Sequence, residues 1–280
     1  MHINVLELST GLFAGALFAG FLGALTGLGG GVVIVPLLTI VFGIDIRYAI
    51  GASLVSVIAT SSGAASAFVR EGFSNIRIGM VLEIATTLGA LGGAYLGGVL
   101  SSSVIAVVFG FALIYSAYLS LRPRAEHAPV DTSDPLAVRL RLPSRYPVDG
   151  KLVEYGVANV PAGFGLMGLA GVLSGLLGIG SGAVKVLAMD HAMKLPFKVS
   201  TTTSNFMIGV TAAASAGVYL HRGYIDPTLA MPVVLGVLIG SLTGARVLRR
   251  APPRVLRLVF GVVIFVMAVE MIFNGATGRI

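Results

Sequence analysis

Apolar residues run along this chain in blocks too long for a soluble core. Nearly unbroken apolar stretches cover roughly 8–28, 48–69, 76–100, 104–121, 153–179, 199–220, 228–248 and 255–274. Each is about 18 residues or longer, the length a helix needs to cross hydrocarbon. Two shorter apolar pieces, about 31–43 and 182–189, follow glycine clusters and are too short to span. Backbone polar groups find no partner in lipid, so an interrupted segment at membrane depth survives only buried in protein or lining a cavity. The pattern predicts an all-α integral membrane protein whose broken segments are enclosed by complete ones. A polar stretch, 122–151, separates two membrane units, 1–121 and 152–280. Within it Val138, Leu140 and Leu142 alternate with Arg139 and Arg141, and Asp149-Gly150 reads as a turn, so a small extramembrane β-hairpin is expected there.

The two units repeat each other. From about 20 to 119 they align without a gap at an offset of 151. Gly27-Leu28-Gly29-Gly30-Gly31 matches Gly178-Ile179-Gly180-Ser181-Gly182, Ser53 matches Ser204, and Thr60 matches Thr211. Gly72-Phe73 matches Gly223-Tyr224, Phe109-Gly110 matches Phe260-Gly261, and Gly89 and Gly93 match Gly240 and Gly244. Composition bias gives scattered coincidences, not a register that keeps glycines, hydroxyls and loop aromatics together. A duplicated membrane unit points to a transporter.

Composition agrees. Charged residues make up 11% of the chain and hydrophobic ones 56%, with a mean hydropathy of +0.95, too little charge to cover a soluble surface. The 38 glycines suit closely packed membrane helices. The absence of cysteine excludes disulfides, thiolate nucleophiles and cysteine metal sites. The net charge of +7 comes mostly from residues flanking apolar runs, so it reads as a topology signal and not as a nucleic-acid surface. The N-terminus lacks a basic n-region and a small-residue cleavage site, so it reads as a retained first segment.

Charge also chooses the threading. If each glycine-broken segment is one crossing, basic residues divide almost evenly between the two sides. If each goes in and returns as a hairpin, one side collects Arg70, Arg77, Arg122, Arg124, Arg139, Arg141, Arg145, Lys151, Lys194, Lys198, Arg246, Arg249, Arg250, Arg254 and Arg257. The other keeps only Arg47, Arg222 and Arg279. Fifteen against three is a strong positive-inside bias. It predicts two inverted repeats, each a glycine-broken helical hairpin followed by three transmembrane helices, with the linker cytoplasmic and both termini outside. Inverted repeats whose broken helices meet near the midplane describe a secondary-transporter site.

The candidate site follows from that geometry. Gly29, Gly30 and Gly31 at one tip, and Gly180, Ser181 and Gly182 at the other, let the backbone turn sharply and approach a ligand. The helix that starts after each tip aims free N–H groups and a positive dipole end at it. Lys185 stands one turn into the second short helix, and a lysine at membrane depth has a partner or a task. Its counterpart is Ile34, so the charge is not part of the repeated scaffold. Ser53, Ser56 and Thr60 share one helix face, and Thr203, Ser204 and Thr211, joined by Asn205, make the matching face. The ordinary alternatives are packing for the glycines, snorkelling for Lys185 and helix glue for the hydroxyls. As a set, glycine tips, a lysine and neutral donors favour a small anion. Glu83 and Glu270 lie within long apolar runs. Glu83 is a candidate for carrying a coupled proton or for pairing with a basic residue, and Glu270 for reaching the interface.

At these residues a family resemblance becomes specific. Leu28-Gly29-Gly30-Gly31-Val32-Val33-Ile34-Val35-Pro36 resembles the first signature of the TauE/SafE sulfite exporter family, and Thr203-Ser204-Asn205-Phe206-Met207-Ile208-Gly209-Val210-Thr211 its second-half counterpart. The resemblance covers nearly the whole chain apart from the linker. It implies an inner-membrane permease for export or uptake, with export the first expectation, of sulfite, sulfoacetate or other small organosulfur and organic anions, members differing in cargo. The second half departs from the pattern in having Ser181 in place of glycine, and no proline after Lys185-Val186-Leu187.

Other classes fit less well. Gly180-Ser181-Gly182 resembles the nucleophile site of intramembrane serine proteases, which need a histidine at membrane depth. His2, His127, His191 and His221 sit outside the spans or at their ends, so no enzyme activity is expected. A metal-ion permease would want carboxylate, imidazole or thiolate ligands. The centre offers a lysine and hydroxyls, so neither a metal nor a cofactor is expected. The partners expected are a small anionic substrate and the lipid bilayer. A passive channel fits inverted repeats less well than alternating access does.

Overall fold

The structure, a computed structural model, describes residues 5–26, 31–70, 73–121, 133–148, 151–248 and 253–280. The first half lays down α1 (Val5–Thr26), α2 (Gly31–Pro36) running into a π-helical turn (Leu37–Val41), α3 (Ile46–Arg70), α4 (Ile76–Gly97) and α5 (Ser102–Leu121). A short helix α6 (Pro135–Arg139) and two strands, β1 (Ser144–Val148) and β2 (Lys151–Tyr155), follow. The second half contains α7 (Val160–Leu177), α8 (Gly182–Leu187) with its π turn (Ala188–Ala192), α9 (Phe197–His221), α10 (Pro227–Leu248) and α11 (Pro253–Ala276). The starts of α2, its π turn, α3, α4 and α5 recur at the sequence offset of 151 in α8, its π turn, α9, α10 and α11. Loop detail recurs as well. Ile44 N–H donates to the Leu38 carbonyl at 3.1 Å and Leu195 N–H to Met189 at 3.0 Å. Left-handed Gly43 (φ 65°) returns as Lys194 (φ 58°).

Four helices are long and apolar enough to cross a membrane among the described residues: α1, α4, α7 and α10. Met80, Ile84, Leu88, Leu91 and Tyr95 leave an exposed apolar stripe along α4, the face a membrane helix turns to lipid. These helices pack as two parallel pairs, α1 on α10 and α4 on α7. Small residues bring the backbones together. A methyl group at Gly93 would overlap the Val172 carbonyl, one at Gly175 that of Ala90, and one at Gly240 that of Leu17.

Equivalent helices meet in opposite directions. Gly51, near the start of α3, lies against Tyr224, just beyond the end of α9, while Gly209 of α9 lies against Ser61 of α3. Likewise Gly110 of α5 meets Ala268 and Ile272 of α11, and Gly275 meets Ser103 and Val107. Within the first half, Gly15 of α1 meets Leu37 and Phe42, and Gly11 meets Phe42, so α1 and the segment after it form an antiparallel hairpin.

The region between the halves corrects one expectation. The alternation at 138–142 is not a strand. Asp134 accepts from Leu136 N–H at 3.0 Å and Pro135 opens a capped helical turn that runs to Arg139, and Leu140 and left-handed Arg141 (φ 54°) turn the chain out of it. The hairpin lies further on, with Ser144 opposite Tyr155 and Val148 opposite Lys151. Asp149 and Gly150 lie outside the described residues. The subdomain is tied to the membrane helices by Asn75, which caps α4 through Ile78 N–H and donates to the Leu142 carbonyl at 2.9 Å and the Tyr155 hydroxyl at 2.7 Å. Loss of water on burial raises the Tyr155 hydroxyl pKa above the usual tyrosine value, against the hydrogen bond with Asn75, which lowers it.

Candidate functional site

Gly29 and Gly30 lie outside the described residues. Gly31 opens α2. At the second tip α7 ends in left-handed Gly178 (φ 67°), and Gly180 (φ 72°) and Ser181 (φ 48°) stay in that region. Ser181 thus takes up the conformation glycine favours, and the tip forms without a third glycine. The missing proline changes little either, since the π turn follows Pro36 in one half and Leu187 in the other.

The Gly31 end and the second tip touch. Ser53 Oγ donates to the Gly178 carbonyl at 2.8 Å and lies 3.5 Å from the Gly31 carbonyl. A Cβ placed on Gly31 would stand 3.1 Å from Gly178 O. Ser204, the counterpart of Ser53, donates to the Gly182 carbonyl at 3.3 Å. Equivalent apolar residues cover the two tips. A Cβ on Gly31 would come within 2.9 Å of Val57, and one on Gly182 within 2.8 Å of Ile208.

Beside the second tip lies a buried charged relay. Lys185 is fully buried, and its Nζ donates to Thr211 Oγ1 at 2.5 Å. Thr211 Oγ1 donates to Glu83 Oε1 at 2.6 Å, and Thr87 donates to the same oxygen at 3.2 Å. Glu83 Oε2 is buried with no hydrogen-bond partner among the described residues. Three helices, α8, α9 and α4, each supply one member of the relay. In the other half the corresponding residues are Ile34, Thr60 and Val234, and Thr60 merely bonds back to the Ser56 carbonyl at 3.0 Å. The scaffold is therefore duplicated and the charge is not. Lys185 and Glu83 are joined through the Thr211 hydroxyl and form no direct ion pair, yet removing either charge leaves the other uncompensated in a buried setting.

The remaining hydroxyls divide by role. Ser56 donates to Ala52 O at 2.9 Å within its own helix. Thr203 Oγ1 accepts from Asn75 N–H at 3.0 Å and joins α9 to the start of α4. Asn205 is half-buried on α9, and Glu270 is exposed. Ser181 does not sit with a histidine: His191 lies at the surface, 3.9 Å from Asp190.

Sequence reasoning left two arrangements unseen. The first is which basic residue Glu83 joins: pairing with one was among its expected roles, but that Lys185, far away in the chain, is linked to it through Thr211 was not foreseen. The second is a duplicated cation–π pair at the ends of α3 and α9. Arg47 lies 5.8 Å over the Tyr224 ring, and Lys198 lies 6.0 Å over Phe73. The repeat offset relates Arg47 to Lys198 and Tyr224 to Phe73.

Comparison with known proteins gives a consistent pattern. The family described as Sulfite exporter TauE/SafE matches residues 12–271. The chain is 27% identical over 266 residues to the "Probable membrane transporter protein YunE" of Bacillus subtilis (strain 168), covering 92% of this chain and 95% of that protein. It is 27% identical over 248 residues to "Probable membrane transporter protein YdhB" of the same strain, covering 88% and 91%. It is 26% identical over 273 residues to "Probable membrane transporter protein MJ0441" of Methanocaldococcus jannaschii, covering 90% and 91%. No solved structure matches the chain.

Proposed function

Because the chain belongs to the TauE/SafE sulfite exporter family, we propose that this multi-pass membrane transporter carries a small anion, sulfite or an organosulfonate, by alternating access. The observation that carries the reading is Lys185. A cation with no exposure stands beside a glycine tip, in one half only of a duplicated scaffold. A charge at that depth is costly and serves substrate more often than packing. The anion sits between the tips, with Lys185 as its counter-charge; the hydroxyls of Ser53 and Ser204, which here donate to the Gly178 and Gly182 carbonyls, hold the tips around it.

The two halves, 1–121 and 152–280, are inverted repeats. Matching element boundaries support this, as do the opposed directions of α3 and α9 and of α5 and α11. Rocking of one half against the other then exposes the site to each side in turn. The charge bias supports a cytoplasmic 122–151 linker with both termini outside, and the family resemblance supports the inner membrane. The test is efflux from proteoliposomes. Vesicles holding purified protein and loaded with sulfite should release it faster than empty vesicles do, and Lys185→Met should abolish the difference. Equal release with and without protein, repeated with isethionate and sulfoacetate, refutes the reading.

A further inference from the structure

We propose that Glu83 is a proton site coupled to the anion: its protonation frees Lys185 for the substrate, so one proton travels with each anion. The proposal rests on the reading of Lys185 as the anion's counter-charge and adds a co-substrate to it.

The hydrogen bonds of the relay run in one direction. Lys185 Nζ donates to Thr211 Oγ1, and Thr211 donates to Glu83 Oε1. That order makes Glu83 the acceptor and the internal counter-charge of Lys185. An incoming anion competes for the same cation and would stand near a carboxylate in a buried setting, where two like charges are strongly disfavoured. A proton on Glu83 removes the conflict. It binds a carboxylate oxygen, and Oε2 is buried without a partner among the described residues. No covalent bond breaks in the protein. Thr211 keeps its hydroxyl proton and turns it to the Met207 carbonyl, which it already reaches at 2.9 Å. For a monovalent anion such as isethionate or hydrogen sulfite the centre is electrically balanced in both states, as lysine with carboxylate or as lysine with the anion and a neutral acid; a dianion such as sulfate leaves one negative charge over.

Other ionisable groups stand away from Glu83. On α4 itself, Arg77 points at the Arg141 carbonyl at 3.3 Å, and Tyr95 is about three turns from Glu83. The packed helix α7 carries no ionisable side chain. On α9, Lys198, Tyr219 and His221 are two or more turns from Thr211. Asp190 and His191, on the turn after α8, are more than one turn beyond Lys185. The counterparts of Lys185 and Glu83, Ile34 and Val234, do not ionise, so the stoichiometry is one proton for the whole duplicated scaffold. This also bears on direction, since an inward proton gradient would drive such an anion inward.

The experiment uses purified full-length protein in weakly buffered detergent solution with a pH indicator. Sulfite, sulfate and isethionate are added in turn, and both binding and proton release or uptake are recorded between pH 5 and 8. The expected result is uptake of about one proton per isethionate or sulfate bound, and about tenfold weaker binding per pH unit above the midpoint, the slope of one linked proton. Glu83→Gln should bind with no slope and take up no proton. Sulfite titrates in this range itself, so its own proton is subtracted using Glu83→Gln. Anion binding by the wild type without proton uptake, or a slope kept by Glu83→Gln, overturns the coupling and leaves the anion site standing. No binding of any of the three by the wild type, or equal binding by Lys185→Met, overturns both. If Glu83→Gln does not fold, the wild-type proton count with isethionate or sulfate decides alone.

Discussion

Ser53 Oγ donates to the carbonyl oxygen of Gly178 at 2.8 Å, so a helix of the first half holds the tip of the second. Ser53→Ala leaves that buried carbonyl without its side-chain donor. The expected loss is about 1 kcal/mol, read as a lower unfolding midpoint of the purified protein. Ser204→Ala removes a longer bond, 3.3 Å, made within its own half, and should cost less. A larger loss for Ser204→Ala would contradict this account of how the tips are held.

The cation–π pairs Arg47–Tyr224 and Lys198–Phe73 close the two ends of the α3–α9 contact. Each contributes about 0.5–1 kcal/mol, small enough to open in a transport cycle. The chain has no cysteine, so a single one at Ser204 can report access. Tyr224→Ala should raise its labelling from outside and Phe73→Ala from inside. The same response to both variants would deny them separate roles.

Packing makes a sharper prediction for glycine. Gly93 faces the Val172 backbone, whereas nothing lies within 4 Å of a Cβ on Gly92. A backbone carbonyl moves less readily than a side chain, so Gly93→Val should destabilise by about 1–3 kcal/mol or more. Gly92→Val should be close to neutral. Expression and unfolding midpoint of the two variants, neighbours in sequence, check this directly.

Topology is open to a simple test. Reporters fused after residues 135 and 280 should report opposite sides of the membrane. The same side for both would remove the inverted arrangement, and with it the reason for the tips to meet.

Much of the architecture was legible because lipid imposes it. Long apolar runs, gapless repetition and basic flanks are linear signals, and Gly31 to Gly182 or Ile46 to Phe197 keep the sequence offset in the elements themselves. The hairpin strands were misplaced because alternation at 138–142 also fits one helical turn, and Asp134 with Pro135 decides for the helix. The hydroxyl face was half legible. Periodicity put Ser53, Ser56 and Thr60 together, but it does not say that Ser56 and Thr60 bond their own helix while Ser53 reaches across to Gly178. The Lys185–Thr211–Glu83 relay needed tertiary structure, because three separate helices bring it together.

The most direct measurement of the central claim is anion-induced thermal stabilisation with the charge balance preserved. Lys185→Met alone strands Glu83, so the comparison uses Lys185→Met with Glu83→Gln, which removes both charges. Sulfite and isethionate, tested separately, should raise the unfolding midpoint of the wild type in proportion to the logarithm of concentration above Kd. The double variant should remain folded and show no shift with either. An equal shift in both proteins would mean that the anion is held elsewhere and that Lys185 does not bind it.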